Sequence, residues 1–177
     1  MTAFYVVLAL FACAGLLLAF SYNRLVRLRN KVAEAWRDVD VQLQRRHDMI
    51  PRLVELVKAY AAHEGELFAK LARLRGEAET ASGPVTKSAP ESELAAALGT
   101  TIAVAESYPS LRAAENFLAL QREIAETESE VAAARIIYNG NVRIFNTRIQ
   151  TPPVSFYADL LGFEPAAFFQ AGAEGTV

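Results

Sequence analysis

Two histidines, each followed by a carboxylate, are the residues best equipped for chemistry: His47-Asp48 and His63-Glu64. An imidazole beside an acid can ligate a divalent metal or pass a proton near neutral pH. Their spacing argues against either use. The two are sixteen positions apart and form no His-Glu-x-x-His pattern, which would set both rings on one helix face. Asp38 and Asp40 suggest a carboxylate pair, but positions two apart on a helix point ~200° away from one another. The chain has no glycine-rich phosphate loop and no serine nucleophile elbow. Its single cysteine, Cys13, excludes a disulfide framework within the chain and a cysteine-based metal site. No catalytic, cofactor-binding or metal-ligating residue is assigned, and the chain is not expected to be an enzyme.

The remaining polar residues of interest fall on faces that look buried. They are Asn23 (after Tyr22), Asn116, Tyr138-Asn139, Asn146 and Gln150. Buried polar groups need partners. With Asp38, Asp40, His47 and Arg135, these residues are expected to fix helix register or to contact a partner. Arg135 lies near the apolar face of its segment. It should form a structural ion pair, with Glu128 one heptad earlier or with Asp38 or Asp40 across the helices. His47 is expected as a partly buried histidine at a helix turn.

Helices must position these groups. Leu25, Leu28, Val32, Trp36, Val39 and Leu43 recur with a mean spacing of 3.6, one buried stripe of an α-helix. Asp48 could cap a second helix with Pro51 in its first turn, so a reversal near His47-Asp48 is favoured over a helix kinked at Pro51. Ile50, Val54, Val57, Ala61, Leu67, Leu71 and Leu74 continue the pattern. Residues 82–90, Ser-Gly-Pro-Val-Thr-Lys-Ser-Ala-Pro, read as a loop. A third helix should run from about Glu91 to Ser107, before the break at Tyr108-Pro109. The fourth is the longest, carrying Phe117, Leu120, Ile124, Val131, Tyr138, Val142, Phe145 and Ile149, and Pro152-Pro153 ends it. Five aromatics follow: Phe156, Tyr157, Phe163, Phe168 and Phe169. No segment alternates as a strand would. The expected class is all-α: an antiparallel four-helix bundle preceded by one N-terminal transmembrane helix.

That first helix is the sharpest feature of the chain. Ala3 to Phe20 is nearly all apolar, and no charged side chain precedes Arg24. Eighteen residues of helix reach ~27 Å, the thickness of a hydrocarbon core. The divisions expected are an anchor over 1–21, a helical bundle over 22–169 and a flexible tail over 170–177. Arg24, Arg27, Arg29, Lys31 and Arg37 follow the apolar run closely, which places the N-terminus outside and the bundle in the cytoplasm of a single-pass membrane protein. A cleaved signal peptide would want basic residues before the run and a small-residue site after it, and neither is present. Arg24 to Arg52 holds eight basic residues against four acidic, while the whole chain carries a net charge of −2. Only Arg24 to Lys31 lie within reach of lipid headgroups. The charge balance gives no reason to expect a nucleic-acid partner.

Several ordered motifs resemble the LemA family. They are Tyr22-Asn23-x-Leu25-Val26-x-Leu28-Arg29-Asn30, Ala35-Trp36-x-Asp38-Val39-Asp40-Val41-Gln42-Leu43 and Arg45-Arg46-His47-Asp48-Met49-Ile50-Pro51. Val57-Lys58-x-Tyr60-Ala61-x-His63-Glu64, Glu115-Asn116-Phe117, Ala134-Arg135, Tyr138-Asn139 and Asn146-Thr147 extend the resemblance. It departs from the usual pattern at Ile136-Ile137 and at Thr151-Pro152. The resemblance implies one N-terminal transmembrane helix, a short outer tail and a four-helix bundle. It supplies no enzymatic activity, cofactor or catalytic residue to carry over.

The function expected is therefore a scaffold or adaptor: a bundle tethered to membrane lipid that gathers protein partners, a second copy of itself included. The alternative is a sensor that binds a ligand or metal between helices and is coupled to the anchor. Trp36, the only tryptophan, is expected to be buried against a neighbouring helix.

Overall fold

The computed structural model describes residues 1–61 and 63–170, without the side chains of Ala3, Val7 and Ala14. The expected flexible tail falls, from residue 171 on, outside the described residues. The chain is all-helical, with no strand among the described residues. In order it forms α1 (Thr2–Lys58), α2 (Gly65–Thr80), α3 (Pro84–Glu106), α4 (Pro109–Arg112), α5 (Glu115–Gln150) and a 3-10 turn (Val154–Phe156).

The largest difference from the sequence expectation concerns α1, which does not reverse near His47 and Asp48. It runs through Pro51 to Lys58, and the chain turns at 59–60 instead. A proline inside a helix removes the N–H that would bond to the carbonyl four residues earlier. For Pro51 that carbonyl belongs to His47. Arg75 of α2 takes its place: the guanidinium Nε donates to His47 O at 3.0 Å. The acceptor freed by proline is thus satisfied from another helix, and the apolar stripe can continue as Ile50, Leu53 and Val57, all buried.

The 82–90 loop is also corrected. Gly83, at φ 83°, occupies the left-handed region that glycine tolerates, and Pro84 follows as the first helical residue. Helix α3 therefore starts seven residues earlier than Glu91 and carries Pro90 inside it. The breaks at Tyr108-Pro109 and after Gln150 fall where the prolines predict.

The chain divides into two compact units. One comprises residues 1–35 and 140–166. Its core is Leu25 and Val32 from α1, Val142, Phe145 and Ile149 from α5, and Val154, Ala158 and Phe163 beyond it. The Phe163 ring centres this unit. Tyr22 meets it edge-on at 5.6 Å, Phe145 lies 6.4 Å away, and the Arg29 guanidinium sits 5.3 Å from its centroid. The apolar side chains described before Ser21 are exposed.

The second unit comprises the described residues of 36–139 together with 167–170. Its core draws on Met49, Ile50, Leu53 and Val57 of α1, Leu71 and Leu74 of α2, Leu94 and Leu98 of α3, and Phe117, Leu120 and Ile124 of α5. Leu111 of α4 closes one side. Trp36 is half-buried here rather than buried. Its ring packs 5.3 Å from both Tyr138 and Phe169.

Candidate functional site

The most unusual chemistry lies within the second unit, where α1 and α3 bury three ionisable groups together. The α1 stripe that supplies Val39 and Leu43 also carries Arg46 and His47 inward one turn later. The α3 stripe of Leu94 and Leu98 begins with Glu91, whose side chain is completely buried. Arg46 Nη2 lies 2.5 Å from Glu91 Oε2, and His47 Nε2 lies 3.0 Å from Glu91 Oε1. One carboxylate therefore serves both neighbours, one oxygen each. Arg46 Nη1 reaches outward to Glu128 of α5 at 2.9 Å.

Burial alone would raise the pKa of the Glu91 carboxyl. The His47 hydrogen bond and the Arg46 charge outweigh it, so the carboxyl is held below the ordinary glutamate range. Charges this deep persist only when paired, because an isolated one would lose its hydration without return. Two atoms of the cluster, Arg46 Nε and His47 Nδ1, are buried without a hydrogen-bond partner among the described residues. The arrangement resembles a base held by an acid, but Arg46 neutralises the acid and the imidazole is 1% exposed. It joins α1 to α3 through one buried carboxylate.

A second set of polar side chains holds the residues that follow α5. Within the first unit, Asn146 Nδ2 donates to Ala166 O at 2.8 Å while its Oδ1 accepts from Ala166 N, also at 2.8 Å. Within the second, Asn139 does the same for Phe169, at 2.9 and 3.0 Å. Each amide imitates the backbone of a neighbouring strand, supplying one donor and one acceptor. Tyr138 Oη donates to Ala167 O at 2.7 Å, and burial pushes its phenol pKa upward.

The sequence-derived candidates divide accordingly. His47 enters the buried cluster, in mid-helix and not at a turn. Tyr138 and Asn139 form one clamp, and Asn146 forms the other. Asp40 is exposed and pairs with Lys87 Nζ. Asp38 and Asn23 are exposed. Asn116 accepts locally, from the N–H of Phe117 onto its Oδ1. Arg135 is half-buried on α5. His63 is exposed in the turn after α1. Among the described residues no three His, Cys, Asp or Glu side chains gather where they could hold a metal.

Arg46 and Glu91 escaped the sequence reading, although a signal existed. Both continue the helical stripes around them. Ending one helix at His47, and starting another only at Glu91, removed each from its face.

The LemA family model matches residues 35–176. The chain belongs to the LemA family. Relatives of this LemA-family chain include the magnetosome protein MamQ 2 of Paramagnetospirillum magneticum, 25% identical over 184 residues that cover 89% of this chain and 68% of that protein. Magnetosome protein MamQ of Magnetospirillum gryphiswaldense is similar to the same extent. Protein LemA of Metamycoplasma hominis is 26% identical over 152 residues, 84% of this chain and 68% of its own length.

Proposed function

We propose that this LemA-family chain is a membrane-anchored scaffold, not an enzyme. Residues 1–21 form a single-pass anchor, and residues 22–169 form an antiparallel four-helix bundle on the cytoplasmic side. That bundle gathers protein partners, including further copies of itself. Tethering confines it to a surface and raises its effective concentration toward weak partners.

The observation that carries this reading is the outer face of α5. Ile136 and Ile137, both in the second unit, are 69% and 60% exposed, in a helix that supplies Ile124, Val131 and Tyr138 to the buried interior. Large aliphatic groups left exposed together are a feature of protein-interaction surfaces. The sensing alternative has less to stand on, because His47 Nε2 already engages Glu91. In-membrane crosslinking of the full chain tests the scaffold. It should return oligomers or a reproducible partner, and Ile136→Asp with Ile137→Asp should abolish them. Recovery of monomer alone from the unaltered chain would refute the proposal.

A further inference from the structure

Within the first unit, the segment after α5 folds back beside the end of the apolar run. A cleft of about 370 Å³ is lined by Leu18, Ala19 and Tyr22 of α1 on one side and by Tyr157, Leu160 and Leu161 on the other. The turn thus lies beside the last apolar turns of α1. It also presents large apolar groups outward, with Phe156 82% exposed and Leu160 88% exposed.

We infer that the turn from Val154 to Phe163 is a second membrane contact, inserting Phe156, Leu160 and Leu161 into the bilayer interface beside the anchor. This rests on the reading of residues 3–20 as a membrane span. The occupant follows from continuity: a bilayer that covers Leu18 and Phe20 meets Leu160 across the shared cleft.

Irregular chain near hydrocarbon must satisfy its own polar groups, and most N–H groups of the turn do so, those of Asp159 and Leu160 being left to the wet headgroup layer. Tyr157 N and Ala158 N bond to Val154 O, Leu161 N to Tyr157 O and Ala158 O, and Phe163 N to Ala158 O. Val154, Ala158 and Phe163 are buried and brace the turn from within. The flanks suit that layer. Arg24, Arg27, Arg29 and Lys31 follow the span, and they outnumber the turn's own exposed acids, Asp159 and Glu164. Tyr22 and Tyr157 are amphipathic side chains of the kind that favour the headgroup layer. The anchor fixes the chain to the membrane, and the turn fixes how the domain is rotated against it.

The test uses the full chain in phosphatidylethanolamine–phosphatidylglycerol vesicles. An environment-sensitive fluorophore is attached at Leu160→Cys or Phe156→Cys in a Cys13→Ala background. A control carries it at Ser82→Cys, in the α2–α3 connection, and a further sample carries it on native Cys13. Lipids bearing a nitroxide either near the headgroup or deep in the acyl chain serve as quenchers. Labels at 156 and 160 should be quenched by the shallow nitroxide at least about twofold more than at 82. Cys13 should respond to the deep one. Quenching at 156 and 160 no greater than at 82, with Cys13 still quenched, would overturn the inference and leave the anchor standing. Copy-to-copy disulfides in the unlabelled Leu160→Cys variant, with no lipid quenching of its labelled form, would overturn it in favour of a second copy. Loss of quenching at Cys13 would overturn the span reading, and this inference with it.

Discussion

Along α1, Leu8, Leu10, Leu16 and Phe20 are largely exposed, whereas Leu25, Val39, Leu43, Leu53 and Val57 are completely buried. Both stretches are rich in large apolar residues and belong to one helix. They differ in pattern. Before Ser21 apolar groups occupy every face, and from Leu25 on they keep to a single stripe, with charge on the rest. A stripe is what other helices can cover, while an all-round apolar surface suits lipid. Polar groups follow the same division. The stripe admits charge only as Arg46, matched by Glu91 of α3 with His47 bonded to the same carboxylate, and the N-terminal stretch admits none.

Unbalancing the buried set should separate the two stretches by the largest margin. Arg46→Ala leaves Glu91 with only His47 beside it and should cost about 3–5 kcal/mol in denaturant unfolding. Leu16→Ala, in the exposed stretch, should change the same measurement by less than about 0.5 kcal/mol. Equal losses from the two would show that the stretches are not built for different surroundings. Next in size is Trp36→Ala, which removes a ring packed on Tyr138 and Phe169. Because Trp36 is half-buried, the loss should be about 2–3 kcal/mol, below that of a fully buried tryptophan. A readily quenched, red-shifted tryptophan emission with an unchanged melting temperature in the variant would contradict the packing.

A smaller effect is expected around Pro51. Arg75→Ala strands the His47 carbonyl and should cost about 1–2 kcal/mol. In a Pro51→Ala background the residue 51 N–H can take that carbonyl, so the penalty should shrink. A double-mutant cycle reads the coupling, and additive losses would rule it out. The acid limb of stability should give the smallest change. The Glu91 carboxyl is held below its ordinary range, so the stability it contributes is complete above the unfolded value, ~4.3. It is lost as pH falls through the lower folded value. Melting temperature should therefore drop on acidification below pH ~4.3, less steeply in Glu91→Gln.

How much of this was legible depended on range. The stripes of α1 and α5, the break at Tyr108-Pro109 and the apolar run follow from local spacing. The continuation of α1 past His47 does not. Proline carries a local penalty, and its relief came from Arg75, twenty-eight residues from His47. Glu91 was hidden for the same reason: a glutamate after proline looks like a solvated helix start until its partners on α1 are known. The second half of each asparagine clamp lies twenty or thirty residues away. Asn139 and Asn146 could be singled out as polar groups in need of partners, but the partners could not be named.

The Pro51–Arg75 arrangement has a consequence for the order of events in folding. The last two turns of α1 lack one of their own bonds, and α2 supplies the replacement. During synthesis those turns leave the ribosome before Arg75 does, so they must wait, incompletely bonded, for a helix not yet made. In the finished protein the dependence persists. When α2 detaches, it takes with it the donor on the His47 carbonyl, and the amides from Arg52 to Lys58 should exchange with solvent in step with those of α2. A residue usually regarded as a helix breaker here makes two helices a single cooperative element.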